Sequence, residues 1–153
     1  TLHFSPTKAN AANLTREAIS GDIFITGNTV IDAMKTTVQP DFVFATPELN
    51  AMDFAGKRVI TLTCHRRENY GQPMEDIMSA LAEIAAKHAD VELVYPVHLS
   101  PVVQEVAHRH LANHERIHLI APLPVDEMHK VININFKEDY ICRVFKNIVV
   151  FVA

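Results

Sequence analysis

The sequence predicts an α/β fold built on a parallel sheet with flanking helices. Three observations carry this. Short apolar runs recur at 22–26, 58–63, 91–95 and 117–120. Each is followed, after a brief loop, by a helix start signal: Asn28-Thr29, Pro73, Ser100-Pro101 or Pro124. The connections are short, and strand, loop, helix in series gives parallel strands with right-handed crossovers.

Taken in order, Ser5 reads as a helix cap and Pro6 as the first helical residue, with the helix running to about Ile19 and closed by Gly21. Asp22 to Thr26 reads as a short buried strand, and Gly27-Asn28 turns into a helix from Thr29 to about Thr36. Residues 37–55 hold Pro40, Pro47 and mixed polarity, and read as a linker or crossover. Arg58 to Thr63 is a strand. A helix from Met74 to His88 then presents Met74, Ile77, Met78, Leu81, Ile84 and Ala85 on one face. Val91 to Tyr95 is a strand, and the helix opened by Ser100-Pro101 turns Val102, Val103, Val106, Ala107, His110 and Leu111 inward. Ile117 to Ile120 is a strand and Pro124 begins a short helix. From residue 131 the composition shifts to Ile, Val, Asn, Lys and Phe without Gly or Pro. Val131 to Phe136 alternates like a strand, and Ile148 to Val152 is a short apolar run.

The 153 residues are enough for one domain with a real core or for parts of two. A net charge of −4 argues against a nucleic-acid binder, which would carry a basic face. No apolar run approaches a membrane span and no signal peptide is visible, so cytoplasm is the default expectation. Cys64 and Cys142 are too few and too far apart for a disulfide scaffold, and no Cys/His spacing suits zinc, so no metal is expected. Thr1-Leu2-His3-Phe4 reads like the middle of a longer polypeptide.

Three loops follow successive parallel strands and so share the carboxyl edge of the sheet, where ligands bind in open α/β folds. The first, Cys64-His65-Arg66-Arg67-Glu68-Asn69-Tyr70-Gly71, crowds a histidine, two arginines and a carboxylate ahead of a helix start. Guanidinium groups and helix-start amides suit a phosphate or diphosphate, and a histidine there can donate to a phosphate oxygen or act as acid or base. The commoner use of such a loop is internal charge pairing, for instance Arg67 with Glu68. The second, Tyr95-Pro96-Val97-His98-Leu99, projects His98 toward the same edge, where His98 could equally cap the following helix. The third, Ile120-Ala121-Pro122-Leu123-Pro124, is apolar and could wall a planar base or simply turn. The remaining histidines read as structural or solvent-facing. Neither GxGxxG nor a Walker loop occurs, and no carboxylate pair is placed for acid/base work.

Five blocks in order resemble the bacterial non-hydrolysing UDP-N-acetylglucosamine 2-epimerases: His3 to Thr7, Ile25 to Asp32, Thr63 to Asn69, Tyr95 to Leu99, and Arg116 to Leu123. The resemblance covers about residues 1–129. It implies a two-domain glycosyltransferase-B-type fold with the nucleotide sugar between two Rossmann-like halves. Residues 1–36 would end the N-terminal half, 37–55 would cross over, 56–130 would open the C-terminal nucleotide-binding half, and 131–153 would be an atypical tail. The implied reaction interconverts UDP-N-acetylglucosamine and UDP-N-acetylmannosamine by eliminating UDP and adding it back, with no cofactor. By position, His65 matches the family's functional histidine. Arg66, Arg67, Glu68, Asn69 and Leu123 fall among the UDP-binding positions. Arg66 and His98 match contacts to a second, regulatory UDP-sugar, which also favours the non-hydrolysing type. A homodimer is implied.

The departures matter too. The family's acid/base carboxylates lie upstream of Thr1. Its Asp-Ser-Gly-Gly turn, after the position of His129, has no counterpart in 131–153, so a truncated or frame-shifted tail is expected. The isolated chain is therefore expected to be inactive. The alternative is a non-catalytic UDP-sugar-binding or subunit-association module.

Overall fold

A computed structural model describes residues 1–39, 41–135, 142–145 and 148–152. Its contacts divide the chain into two compact units, Thr1–Gln39 and Pro40–Ala153.

The first unit runs β1 (Leu2–Ser5), α1 (Lys8–Arg16), β2 (Asp22–Ile25) and α2 (Thr29–Thr37). The two strands pair in parallel, Leu2 opposite Asp22 through Ser5 opposite Ile25. Here the expected helix start is corrected. Ser5 ends a strand, and its carbonyl accepts the Thr26 amide. The cap is Thr7, whose hydroxyl accepts the Asn10 amide, so α1 begins at Lys8 and ends at Arg16, short of Ile19. Gly21 is required where the chain returns to β2. Its φ is +120°, and a Cβ there would fall 2.2 Å from the Thr1 carbonyl oxygen.

The second unit contains α3 (Pro47–Asn50), β3 (Arg58–Thr63), a 3-10 turn (Arg67–Asn69), α4 (Gln72–Lys87), β4 (Val91–Pro96), α5 (Pro101–Leu111), β5 (Ile117–Ile120), α6 (Val125–Asn135), β6 (Cys142–Phe145) and β7 (Ile148–Val152). The sheet order is β5-β4-β3-β7-β6. β3, β4 and β5 are parallel, as the sequence predicts. β6 and β7 form an antiparallel hairpin, and β7 runs antiparallel beside β3, Ile60 opposite Val152 through Thr63 opposite Val149. The sheet is therefore mixed.

Alternation along the strands builds two cores. Ile60, Leu62, Leu93 and Tyr95 face α4 and α5, meeting Met74, Met78, Leu81, Val103 and Leu111. Val59, Val94 and Ile120 face the other way, meeting Phe44, Leu49 and Val131. Residues 42–54, expected as linker, thus supply one side of the second core through Phe42, Phe44, Leu49, Met52 and Phe54. The strand expected from Val131 is helix instead. Glu127, Val131 and Ile134 continue the helical period of α6 onto that core, and this outweighs the local alternation. Phe136, the last residue of the expected strand, lies outside the described residues.

Candidate functional site

Because β3, β4 and β5 are parallel neighbours, the loops that follow them emerge at one edge. Gly71 ends the first loop with φ +81°, a conformation open to glycine, and turns the chain into α4.

The imidazoles of His65 and His98 stack across the gap between the first two loops, with ring centroids 5.3 Å apart and planes 14° from parallel. His98 Nδ1 accepts the Ser100 backbone amide at 3.0 Å, so a neutral His98 carries its proton on Nε2. Gln104 Nε2 donates to the His98 carbonyl at 3.2 Å and fixes the same turn. His65 Nδ1 lies 3.3 Å from the Thr63 hydroxyl. Partial burial of its ring, then the neighbouring His98 and Arg66, hold the His65 pKa below the ordinary histidine value. Both histidines remain exposed.

Arg66, Arg67 and Glu68 are exposed, and among the described residues no ion pair holds any of them. The internal Arg67–Glu68 pairing that would make the loop merely structural is not formed. Asn69 is placed differently from its neighbours. It is buried beneath the loop, and its Nδ2 points at Cys64 Sγ at 3.9 Å. Burial pushes the Cys64 thiol up, which keeps it protonated and inert. Leu123 is half-buried against the second core. Its neighbours Ala121 and Pro122 instead line a cleft of about 260 Å³, together with Val97, Leu99, Gln104 and His108. The structure therefore brings His65, Arg66 and His98 together, and sets an apolar cleft beside them under the third loop.

Sequence reasoning did not find three supports. Tyr95 Oη donates to the Cys64 carbonyl at 2.5 Å. Tyr70 Oη reaches Ser100 Oγ at 3.4 Å, tying the first loop to the second. Glu127, with only 2% of its surface exposed, accepts the Thr46 amide at 3.1 Å and the Thr46 hydroxyl at 2.5 Å, and also accepts the Ala45 amide. His108, read as structural, sits at the cleft lip with Nδ1 on the Gln104 carbonyl at 2.8 Å. A helix periodicity cannot announce the three supports, since each depends on two segments about 30 or more residues apart in sequence. Among the described residues no cluster of three or more His, Cys, Asp or Glu side chains is arranged to hold a metal ion.

Comparison with known proteins decides the family. The family model described as UDP-N-acetylglucosamine 2-epimerase matches residues 1–135. The chain belongs to the UDP-N-acetylglucosamine 2-epimerase family. It is similar to the UDP-N-acetylglucosamine 2-epimerase of Bacillus subtilis (strain 168), 46% identical over 130 residues that cover 84% of this chain and 33% of the relative. Among solved structures of the epimerase family, it is similar to the S. aureus MnaA–UDP co-structure at 42% identity and TM-score 0.73, covering 86% of this chain and 35% of that one. It is also similar to the Neisseria meningitidis epimerase bound to UDP-GlcNAc, at 31% identity and TM-score 0.73, covering 86% and 37%. The chain thus spans about a third of the length of the relatives it matches, and it carries that part of the epimerases' glycosyltransferase-B-like α/β fold.

Proposed function

We propose that this chain supplies the diphosphate-facing wall of an epimerase nucleotide-sugar site. The observation that carries the proposal is the stacked His65–His98 pair beside the unpaired Arg66 at the carboxyl edge of a parallel sheet. Eliminating UDP puts developing negative charge on the leaving diphosphate. Guanidinium and imidazole donors gathered at that edge stabilise the charge as it forms. In this reading His65 acts at the diphosphate, with Arg66, Arg67 and Glu68 around it. Arg66 and His98 also reach a second, regulatory UDP-sugar. Asn69 contributes by shaping the loop, and Leu123 by backing the cleft wall that Ala121 and Pro122 offer to the base. The first unit would belong to the N-terminal half of the epimerase fold and the second to its nucleotide-binding half.

The reaction served is the interconversion of UDP-N-acetylglucosamine and UDP-N-acetylmannosamine by UDP elimination and re-addition, in the cytoplasm, for a cell-surface polysaccharide. The chain by itself holds UDP without turning substrate over, because it spans only about a third of its relatives. Calorimetry with UDP is expected to give binding for the wild type and loss of the signal for His65→Ala. Binding by neither protein would remove the reading, and robust formation of UDP-N-acetylmannosamine by the chain alone would overturn the inactivity.

A second reading, subunit association, is favoured by one observation. The first unit exposes Leu2, Phe4, Phe24 and Ile25, with Phe4 65% exposed. A homodimer is the form that family resemblance suggests. A monomeric mass in sedimentation at all accessible concentrations would exclude it for this chain.

A further inference from the structure

Tyr95 opens the second loop's motif, and the site described above gives its side chain no role. It is 1% exposed, on β4, with its ring in the first core beside Leu93. Its hydroxyl crosses to the neighbouring strand's loop and donates to the Cys64 carbonyl at 2.5 Å. That carbonyl belongs to the peptide that leads into His65. The β3–β4 ladder runs from Arg58 opposite Val91 to Thr61 opposite Val94, and so stops three residues before Cys64. Beyond the ladder, the Tyr95 hydroxyl takes over the cross-link between the two strands. Three residues after Tyr95 along its own backbone comes His98. One residue is therefore linked to both partners of the imidazole stack, to His98 through the main chain and to the peptide before His65 through the side chain.

We propose that Tyr95 is the positioning residue that sets His65 against His98. Burial pushes the Tyr95 phenol well above its ordinary pKa, so it stays a donor across the physiological range. A carbonyl in that dry pocket without a donor would pull its peptide toward water, and the His65 loop would turn with it. The side-chain hydrogen bonds of Tyr70 and Asn69 go elsewhere, to Ser100 Oγ and Cys64 Sγ.

The proposal rests on the function above only for its ligand arm. The test is Tyr95→Phe in the full chain, an isosteric change that removes one oxygen. The titration of His65 and His98 ring protons is followed by NMR. Beside His65 lie His98 from the second loop and Arg66, Arg67 and Glu68 from its own, all unchanged in the variant. In the wild type His65 is expected to titrate below the ordinary histidine midpoint, since partial burial, His98 and Arg66 all oppose its protonation. In Tyr95→Phe its midpoint is expected to rise toward that value as the ring leaves its partly buried stack, with weakened ring contacts to His98 and UDP affinity lower by about fivefold, the loss of one net hydrogen bond. An unchanged His65 midpoint with an intact stack would overturn the proposal. So would the same shift in Met78→Ala, which thins the same core within α4 without touching the Cys64 carbonyl. The titration needs no ligand, so it decides the role of Tyr95 even where the wild type binds no UDP, an outcome that would count against the proposed function instead.

Discussion

Protonating His65 is opposed by partial burial of its ring and by the two cationic or potentially cationic neighbours, His98 and Arg66. A diphosphate placed at the same edge reverses the balance, because its charge favours the imidazolium. In the free protein the His65 pKa lies below 6.5, its ordinary value, and in the complex it rises. Binding therefore takes up a proton, and affinity strengthens as pH falls through the bound pKa, levelling off below the free one. UDP-N-acetylglucosamine is the right probe, since its diphosphate is esterified at both ends. The terminal phosphate of UDP itself titrates at about pH 6. Calorimetry in two buffers of different ionisation enthalpy is expected to show net proton uptake near pH 6.5, absent in His65→Ala; proton release in the wild type would refute the assignment. Stability moves the other way. A histidine with a depressed folded pKa is easier to protonate when unfolded, so this contribution to stability is lost as pH drops from about 6.5 through the folded pKa.

The segment 41–55 is tied to α6 by one carboxylate. Glu127, on α6, accepts from the amides of Ala45 and Thr46 and from the Thr46 hydroxyl, ahead of α3. Asn50 Nδ2 donates back to the Phe44 carbonyl at 2.5 Å and closes the turn. Removing the buried acceptor leaves the Ala45 and Thr46 donors without it and loosens Leu49 and Phe44 from the second core. Glu127→Ala is expected to lower the unfolding free energy by about 2–4 kcal/mol in urea, whereas Asp126→Ala, one residue earlier and exposed, changes it by about 0.5 kcal/mol or less. Equal effects would show that the buried carboxylate is not the anchor. Elements of this kind mark the limit of sequence reading. β3, β4 and β5 were legible because apolar runs between helix signals have few alternative uses. The convergence of His65 and His98 was legible because equivalent loops of a parallel sheet share an edge. β1 was hidden because Ser5-Pro6 carries a helix-start signature two residues before the true cap at Thr7. The end of α6 was hidden because Val131-Ile132-Asn133-Ile134 satisfies both periods, and only the core beneath it selects one. Glu127 and Tyr95 look ordinary in sequence, since what distinguishes them is a partner 81 or 31 residues away.

At the scale of the molecule, the two units differ in how much they bury. α1 has no buried residue, and β2 none below partial exposure. The second unit carries both described core clusters. Amide exchange in residues 1–39 is therefore expected to proceed through local opening, fast and independent of denaturant. Amides of β3 and β4 are expected to exchange only through global unfolding. Protection in β1 equal to that in β3 would contradict this division. The antiparallel strand beside β3 constrains the order of assembly. β3 can pair with β4 once about thirty more residues have been made, but its other neighbour is β7, and the pairing of Ile60 with Val152 must close a loop of almost the whole second unit. Such a contact comes late in folding, because its entropy is spent long before its ladder is complete. During synthesis β3 therefore waits with one side bare while everything around it is already in place. The interval between the emergence of Thr63 and the docking of Ile148–Val152 is the period in which this chain is most open to pairing with another.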